Sequence, residues 1–174
     1  MKRYTRAFSR AALLLLLLWC GTAANAASLE ISVELPRLAV AEYHKPYVAL
    51  WLENDQNQAT QVAVWYDMAM RENKGLEWLK DLRQWWRRGG RALEMPIDGV
   101  SGATRGPGVH QVTVDNAKLA ALAAGQYRLR VEASREVGGR ELVEIPLTLP
   151  LATSQTLEAT GSSELGRISV QVNP

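Results

Sequence analysis

Residues 47–66, YVALWLENDQNQATQVAVWY, decide the fold class of this chain. Tyr47–Glu53 and Thr60–Tyr66 are rich in aromatic and branched residues, the side chains that pack well on a pleated surface. The polar stretch Asn54-Asp55-Gln56-Asn57-Gln58 separates them. Two such runs joined by a polar connection predict a β-hairpin with a longer loop. Both faces of the runs are apolar in places, which sets these strands in the centre of a sheet.

Strand patterns continue on either side. Leu29, Ile31, Val33 and Leu35 alternate with Glu30, Ser32 and Glu34, the mark of a half-buried strand that Pro36 ends. Val109–Val114 alternates in the same way. Gly125-Gln126-Tyr127 opens a strand running to Ala133, and Val137-Gly138-Gly139-Arg140 turns the chain into a returning strand, Glu141–Leu149. Pro146 cannot donate to a ladder, so this strand is predicted to lie at an edge or carry a bulge. Glu132, Arg135, Glu136 and Arg140 read as solvated charges of this hairpin, or as a surface for a partner. Ala152–Ser163 is rich in Ser and Thr and reads as a flexible connection, and Leu165–Val172 as a last short strand.

One helix is expected, over Gly75–Arg88 (GLEWLKDLRQWWRR). Leu76, Leu79, Leu82 and Trp86 form a stripe at helical spacing, which Trp78 and Trp85 widen. Arg87-Arg88 suit the helix dipole at its C-terminus, and Gly89-Gly90 stop it. A long Gly-rich loop follows, from Gly89 to Gly108. Loops of that length in compact domains are uncommon and often functional. The fold expected from these patterns is mainly β: an antiparallel immunoglobulin-like β-sandwich with one inserted helix and a long Gly-rich loop.

The first 26 residues have the features of a secretory signal. Lys2, Arg3, Arg6 and Arg10 precede an apolar run, Ala11–Cys20, and Ala24-Asn25-Ala26 offers the small residues of a cleavage site. The run falls short of the roughly 20 residues a membrane span needs, and no later stretch is long enough. Residues 27–174 then form a single domain without cysteine, since the one cysteine is Cys20. Removing the four basic residues of the signal leaves 16 Lys and Arg against 18 Asp and Glu, a net charge of −2. A nucleic-acid binder would instead concentrate basic charge. His44 and His110 are the only histidines, and the chain contains neither a haem-attachment motif nor a serine-hydrolase elbow.

The remaining chemistry lies within Asp98-Gly99-Val100-Ser101-Gly102-Ala103-Thr104. The plainest reading is a structural turn between helix and strand. The segment also resembles the D-x-x-[S/T]-G-A-T flavinylation motif of FMN-binding domains, such as the C subunit of the sodium-pumping NADH:quinone reductase. That resemblance implies covalent FMN on Thr104, placed there by a flavin transferase of the ApbE type. Asp98, Ser101, Gly102 and Ala103 would be the elements the transferase recognises. A threonine hydroxyl is a weak nucleophile at neutral pH unless activated, which points to an external enzyme rather than self-modification. Arg105 could pair with the attached phosphate; Trp85 and Trp86 read as core residues by their helical spacing, and as an alternative either could offer the isoalloxazine ring a flat apolar surface.

A wider resemblance covers most of the mature chain. Pro46-Tyr47-Val48-Ala49 with Trp51-Leu52-Glu53, Leu79-Lys80-Asp81-Leu82 with Trp85-Trp86, and Gly125-Gln126-Tyr127 with Val131–Glu136 and Gly138-Gly139-Arg140 flank the motif in order. Together they resemble domain of unknown function 2271, a family of predicted periplasmic proteins. The resemblance implies a periplasmic protein working near membrane reductases of the PepSY type. Two functions follow as expectations. One is a flavin-carrying electron-transfer protein without catalytic residues of its own. The other is a binding or accessory module with no cofactor.

Overall fold

The computed structural model describes residues 26–174. The expected signal therefore lies outside the described residues, except for Ala26. Nine strands form two sheets among the described residues. In the four-stranded sheet, β1 (Ser28–Leu35) lies between β5 (Gly108–Val114) and β9 (Arg167–Asn173), and β8 (Gln155–Thr160) pairs with the far side of β9. In the five-stranded sheet, β2 (Tyr47–Asn54) lies between β3 (Ala59–Tyr66) and β6 (Gly125–Ser134). The edges are β4 (Ser101–Ala103), beside β3, and β7 (Arg140–Leu149), beside β6.

The alternation in β1 buries Leu29, Ile31, Val33 and Leu35 completely or nearly so. They meet Val48, Leu50 and Leu52 of β2 and Leu129 and Val131 of β6 in one core shared by both sheets. The protein is thus the mainly β two-sheet sandwich that the strand pattern predicts. The β2–β3 hairpin is central, and the Pro146-bearing β7 is an edge strand. A short helix, α2 (Asn116–Ala120), follows β5, capped by the Asp115 carboxylate accepting from the Lys118 N–H at 2.9 Å. Its N-cap residue is the type that favours a helix start.

The outer face of the five-stranded sheet is also covered. Ala49, Trp51, Val64 and Tyr66 pack there against Leu79, Leu82 and Trp85 of the segment between β3 and β4. That segment departs from the expected single helix. Arg71–Asp81 forms 3₁₀ turns, interrupted where Glu72 and Asn73 take positive φ, and α1 covers only Arg83–Arg87. Leu82, at φ −75° and ψ 71°, separates the two. The cause lies on the sheet. The Glu132 carboxylate accepts from the Gln84 N–H at 3.0 and 3.1 Å and from the Trp85 N–H at 2.8 Å. In a continuous α-helix those amides would bond to carbonyls four residues back.

Four other expectations need correction. Ala152–Ser163 is no free connection, since it contains β8, whose residues mostly face solvent. The Gly89–Gly108 loop contains β4, and β4 runs parallel to β3, so the sandwich is not wholly antiparallel. Glu132 and Arg135 are not solvated: Glu132 is fully buried, and Arg135 pairs through Nε and Nη2 with the buried Glu164 at 2.8 and 3.0 Å. Glu53 is likewise buried on the covered face, where Arg88 and Arg130 approach it at 3.4 Å and the Trp51 indole N–H donates to it at 3.1 Å. A strand's outward side chains are solvated only if nothing packs on that face, and here α1 does.

Candidate functional site: a cleft at one end of the five-stranded sheet

Strand direction gathers the site. β2 begins at Tyr47, opposite Ser134 at the end of β6. β3 ends at Tyr66, opposite Ala103 at the end of β4. Because β3 and β4 are parallel, both deliver their C-terminal ends to the same end of the sheet. The next residues, Asp67 and Thr104, therefore border one cleft. Its volume is about 320 Å³, and Lys45, Tyr47, Met70, Trp78, Asp81 and Arg135 also line it. An antiparallel β4 would have carried Thr104 to the opposite end.

The motif itself is built as a turn leading into a strand. The Val100 and Ser101 amides donate to Ile97 O at 3.2 and 2.9 Å, and the Ile97 N–H donates back to Ser101 Oγ at 2.8 Å. Gly99 has φ +67°, a conformation L side chains rarely adopt. Gly102 answers to packing instead, since a Cβ there would lie 3.3 Å from Trp65 Cδ1. The Thr104 N–H donates to Tyr66 O at 3.1 Å, which extends the β3–β4 ladder through the motif's last residue. Asp98 is exposed on the turn, Ala103 is exposed on the strand, and Thr104 is half-buried.

The other residues singled out by the sequence are dispersed. Arg105 lies over the Trp65 ring, its guanidinium carbon 4.2 Å from the ring centre, in a cation–π contact. Trp85 is fully buried, with its indole N–H on Gln61 Oε1 at 2.5 Å, and presents no free face. Trp86 is tilted against Trp85, 6.3 Å between ring centres, and does not line the cleft. The aromatic residue that does line it is Trp78, which is 47% exposed, whereas Trp51, Trp65 and Trp85 are at most 2% exposed. The stripe at helical spacing hid this distinction, because it assigned Trp78 to the packed face.

The two histidines are apart. His44, at the cleft, contacts Glu42 at 2.7 Å and Glu136 at 3.4 Å. His110 bonds through Nε2 to Gly106 O at 2.8 Å and packs edge-on against Trp65. Among the described residues, no three histidine, cysteine or carboxylate side chains are grouped to hold a metal ion. Tyr47 contributes an occluded hydroxyl beside the Asp67 backbone. Burial raises its pKa above the ordinary phenol value, so it stays a neutral O–H group at physiological pH.

A family model described as predicted periplasmic protein (DUF2271) matches residues 28–167, from β1 to the first residue of β9, and includes every residue of the cleft. The chain belongs to the DUF2271 family. No curated protein and no solved structure matches it. No helix among the described residues is long and apolar enough to cross a membrane. The family description agrees with the expected periplasmic location and leaves the chemistry of the cleft open.

Proposed function

We propose that this DUF2271 protein is exported by its N-terminal signal and carries FMN as a phosphoester on Thr104, acting as an electron carrier. One observation supports this most: the parallel β3–β4 pairing brings Thr104 into a cleft with an exposed indole. The cleft's volume of about 320 Å³ falls in the range of small-molecule sites, roughly 300–1,000 Å³. An attachment residue beside a space with a flat aromatic wall fits a tethered planar cofactor.

The modification requires an external transferase of the ApbE type. The Thr104 oxygen displaces AMP from FAD. The new bond joins Oγ to the FMN phosphorus, the P–O–P bridge breaks, and the hydroxyl proton passes to a base of the transferase. Ser101 accepts from the Ile97 N–H and Arg105 lies over Trp65, and neither a hydroxyl nor a guanidinium is a base that activates the Thr104 hydroxyl. Asp98 and Ala103 are exposed and open to recognition. The edge strand β4 is bonded on one side only, so a second enzyme can reach it. FMN supplies the reversible electron chemistry that the chain's own side chains lack. A covalent tether prevents its loss by dilution outside the cytoplasm. The electron partner in this reading is a PepSY-type membrane reductase.

The test is co-expression with an active flavin transferase, followed by denaturing electrophoresis. The wild type is expected to give a fluorescent band that survives denaturation. Thr104→Ser keeps a hydroxyl and retains the band, while Thr104→Ala abolishes it. A dark wild-type band beside a labelled control substrate would leave the cofactor-free binding or accessory module as the function.

A further inference from the structure

We infer that Trp78 is the stacking platform for the isoalloxazine ring, a role that rests on the flavin reading of Thr104. The backbone accounts for its position. In a 3₁₀ turn, side chains three apart eclipse one another. Leu76, Leu79 and Leu82 thus fall in one row and pack toward the sheet. Gly75, Trp78 and Asp81 fall in the neighbouring row. Trp78 and Asp81 line the cleft, and Gly75 packs so closely on Asp67 O and the Tyr47 hydroxyl that a Cβ would be 1.9 and 3.3 Å from them. The row is therefore seated tightly at its glycine and open at its tryptophan.

An indole left nearly half exposed has lost much of the burial that stabilises aromatic side chains elsewhere. Lys80 Nζ lies over the ring, 5.5 Å from its centre, and occupies one face. The rest of the indole borders the space that Thr104 enters. Met70 and Val137, 37% and 77% exposed, extend the apolar wall at the same cleft. The electron-poor isoalloxazine ring gains most from an electron-rich partner stacked on it, and indole is the most electron-rich of the protein aromatics. Trp85 and Trp86 cannot compete, being buried or turned away from the cleft.

Close stacking on an indole quenches flavin emission, which makes the contact measurable. Flavinylated wild-type protein is expected to be weakly fluorescent when folded and to brighten several-fold in denaturant. Trp78→Ala is expected to be bright when folded, equal to its denatured form. Trp78→Phe should be intermediate, and Trp86→Ala should match the wild type. Equal emission after denaturation controls for the amount of flavin, and circular dichroism for folding. Attached flavin whose folded-state emission does not change in Trp78→Ala would overturn this inference alone. Absence of attached flavin in the wild type would overturn the flavin reading and this inference with it.

Discussion

Removing the Glu132 carboxylate should detach α1 from the sheet. This side chain is fully buried, accepts from two main-chain amides at 2.8–3.1 Å, and has Arg140 Nη1 at 3.3 Å. Hydrogen bonds to a charged group are worth about 1.5–3 kcal/mol each. Glu132→Gln keeps the shape and one acceptor oxygen but loses the charge and the second acceptor, at an expected cost of about 2–3 kcal/mol. Glu132→Ala strands both amides and the arginine, at an expected cost of about 3–5 kcal/mol. Either is a large share of the roughly 5–15 kcal/mol that holds a domain folded. Urea unfolding followed by tryptophan emission measures the loss, since the Trp85 amide is one of the donors. Amide exchange at residues 83–88 should speed up more than exchange in β1 and β9. An alanine variant within about 0.5 kcal/mol of the wild type, the range of an ordinary surface substitution, would refute the clamp.

Three further outcomes follow from the same geometry. Burial opposes ionisation of Glu141, but the N–H groups of Leu165, Ser162 and Ser163 outweigh it and hold its pKa at about 2, below the ordinary 4.5. Its contribution is therefore complete above pH 4.5 and is lost as pH falls towards 2; Glu141→Gln should flatten that limb of an acid titration by about 1–2 kcal/mol, allowing for solvent screening. Arg135→Met alone should cost about 3–5 kcal/mol by leaving Glu164 buried without its partner, while Arg135→Met with Glu164→Leu should recover most of that in thermal unfolding. Gly99→Ala should cost about 1 kcal/mol because of the left-handed turn, with Thr104 still in place.

The parts of the fold legible in the sequence were those whose burial is one-sided or complete. Leu29–Leu35 alternates because only one face of β1 meets the core, and residues 47–66 are apolar on both faces because β2 and β3 are covered twice. Pro146 marked the edge because its missing N–H excludes a ladder on both sides. What the sequence hid depended on remote partners. Glu132 alternates outward like a surface residue, and only α1, packing on that face, makes it buried. β8 has mostly exposed residues, with Leu157 and Ala159 as its only half-buried positions, too few to show a period. β4 has three residues, and its parallel partner ends 35 positions before it begins.

The same limits apply to the candidate site. Thr104 was singled out by a local motif, and it borders the cleft. Trp78 was not, because helical spacing places it on the packed stripe, whereas the 3₁₀ turns of Arg71–Asp81 leave it at the cleft. Trp85, whose helical spacing also read as core, is part of the core.

Intact-mass measurement of the mature protein, co-produced with an ApbE-type flavin transferase, tests the central claim most directly. The expected result is an increase equal to FMN less one water, carried by the peptide containing Thr104 and absent from Thr104→Ala. An unmodified mass, with the transferase shown to be active on another substrate in the same cells, would contradict it.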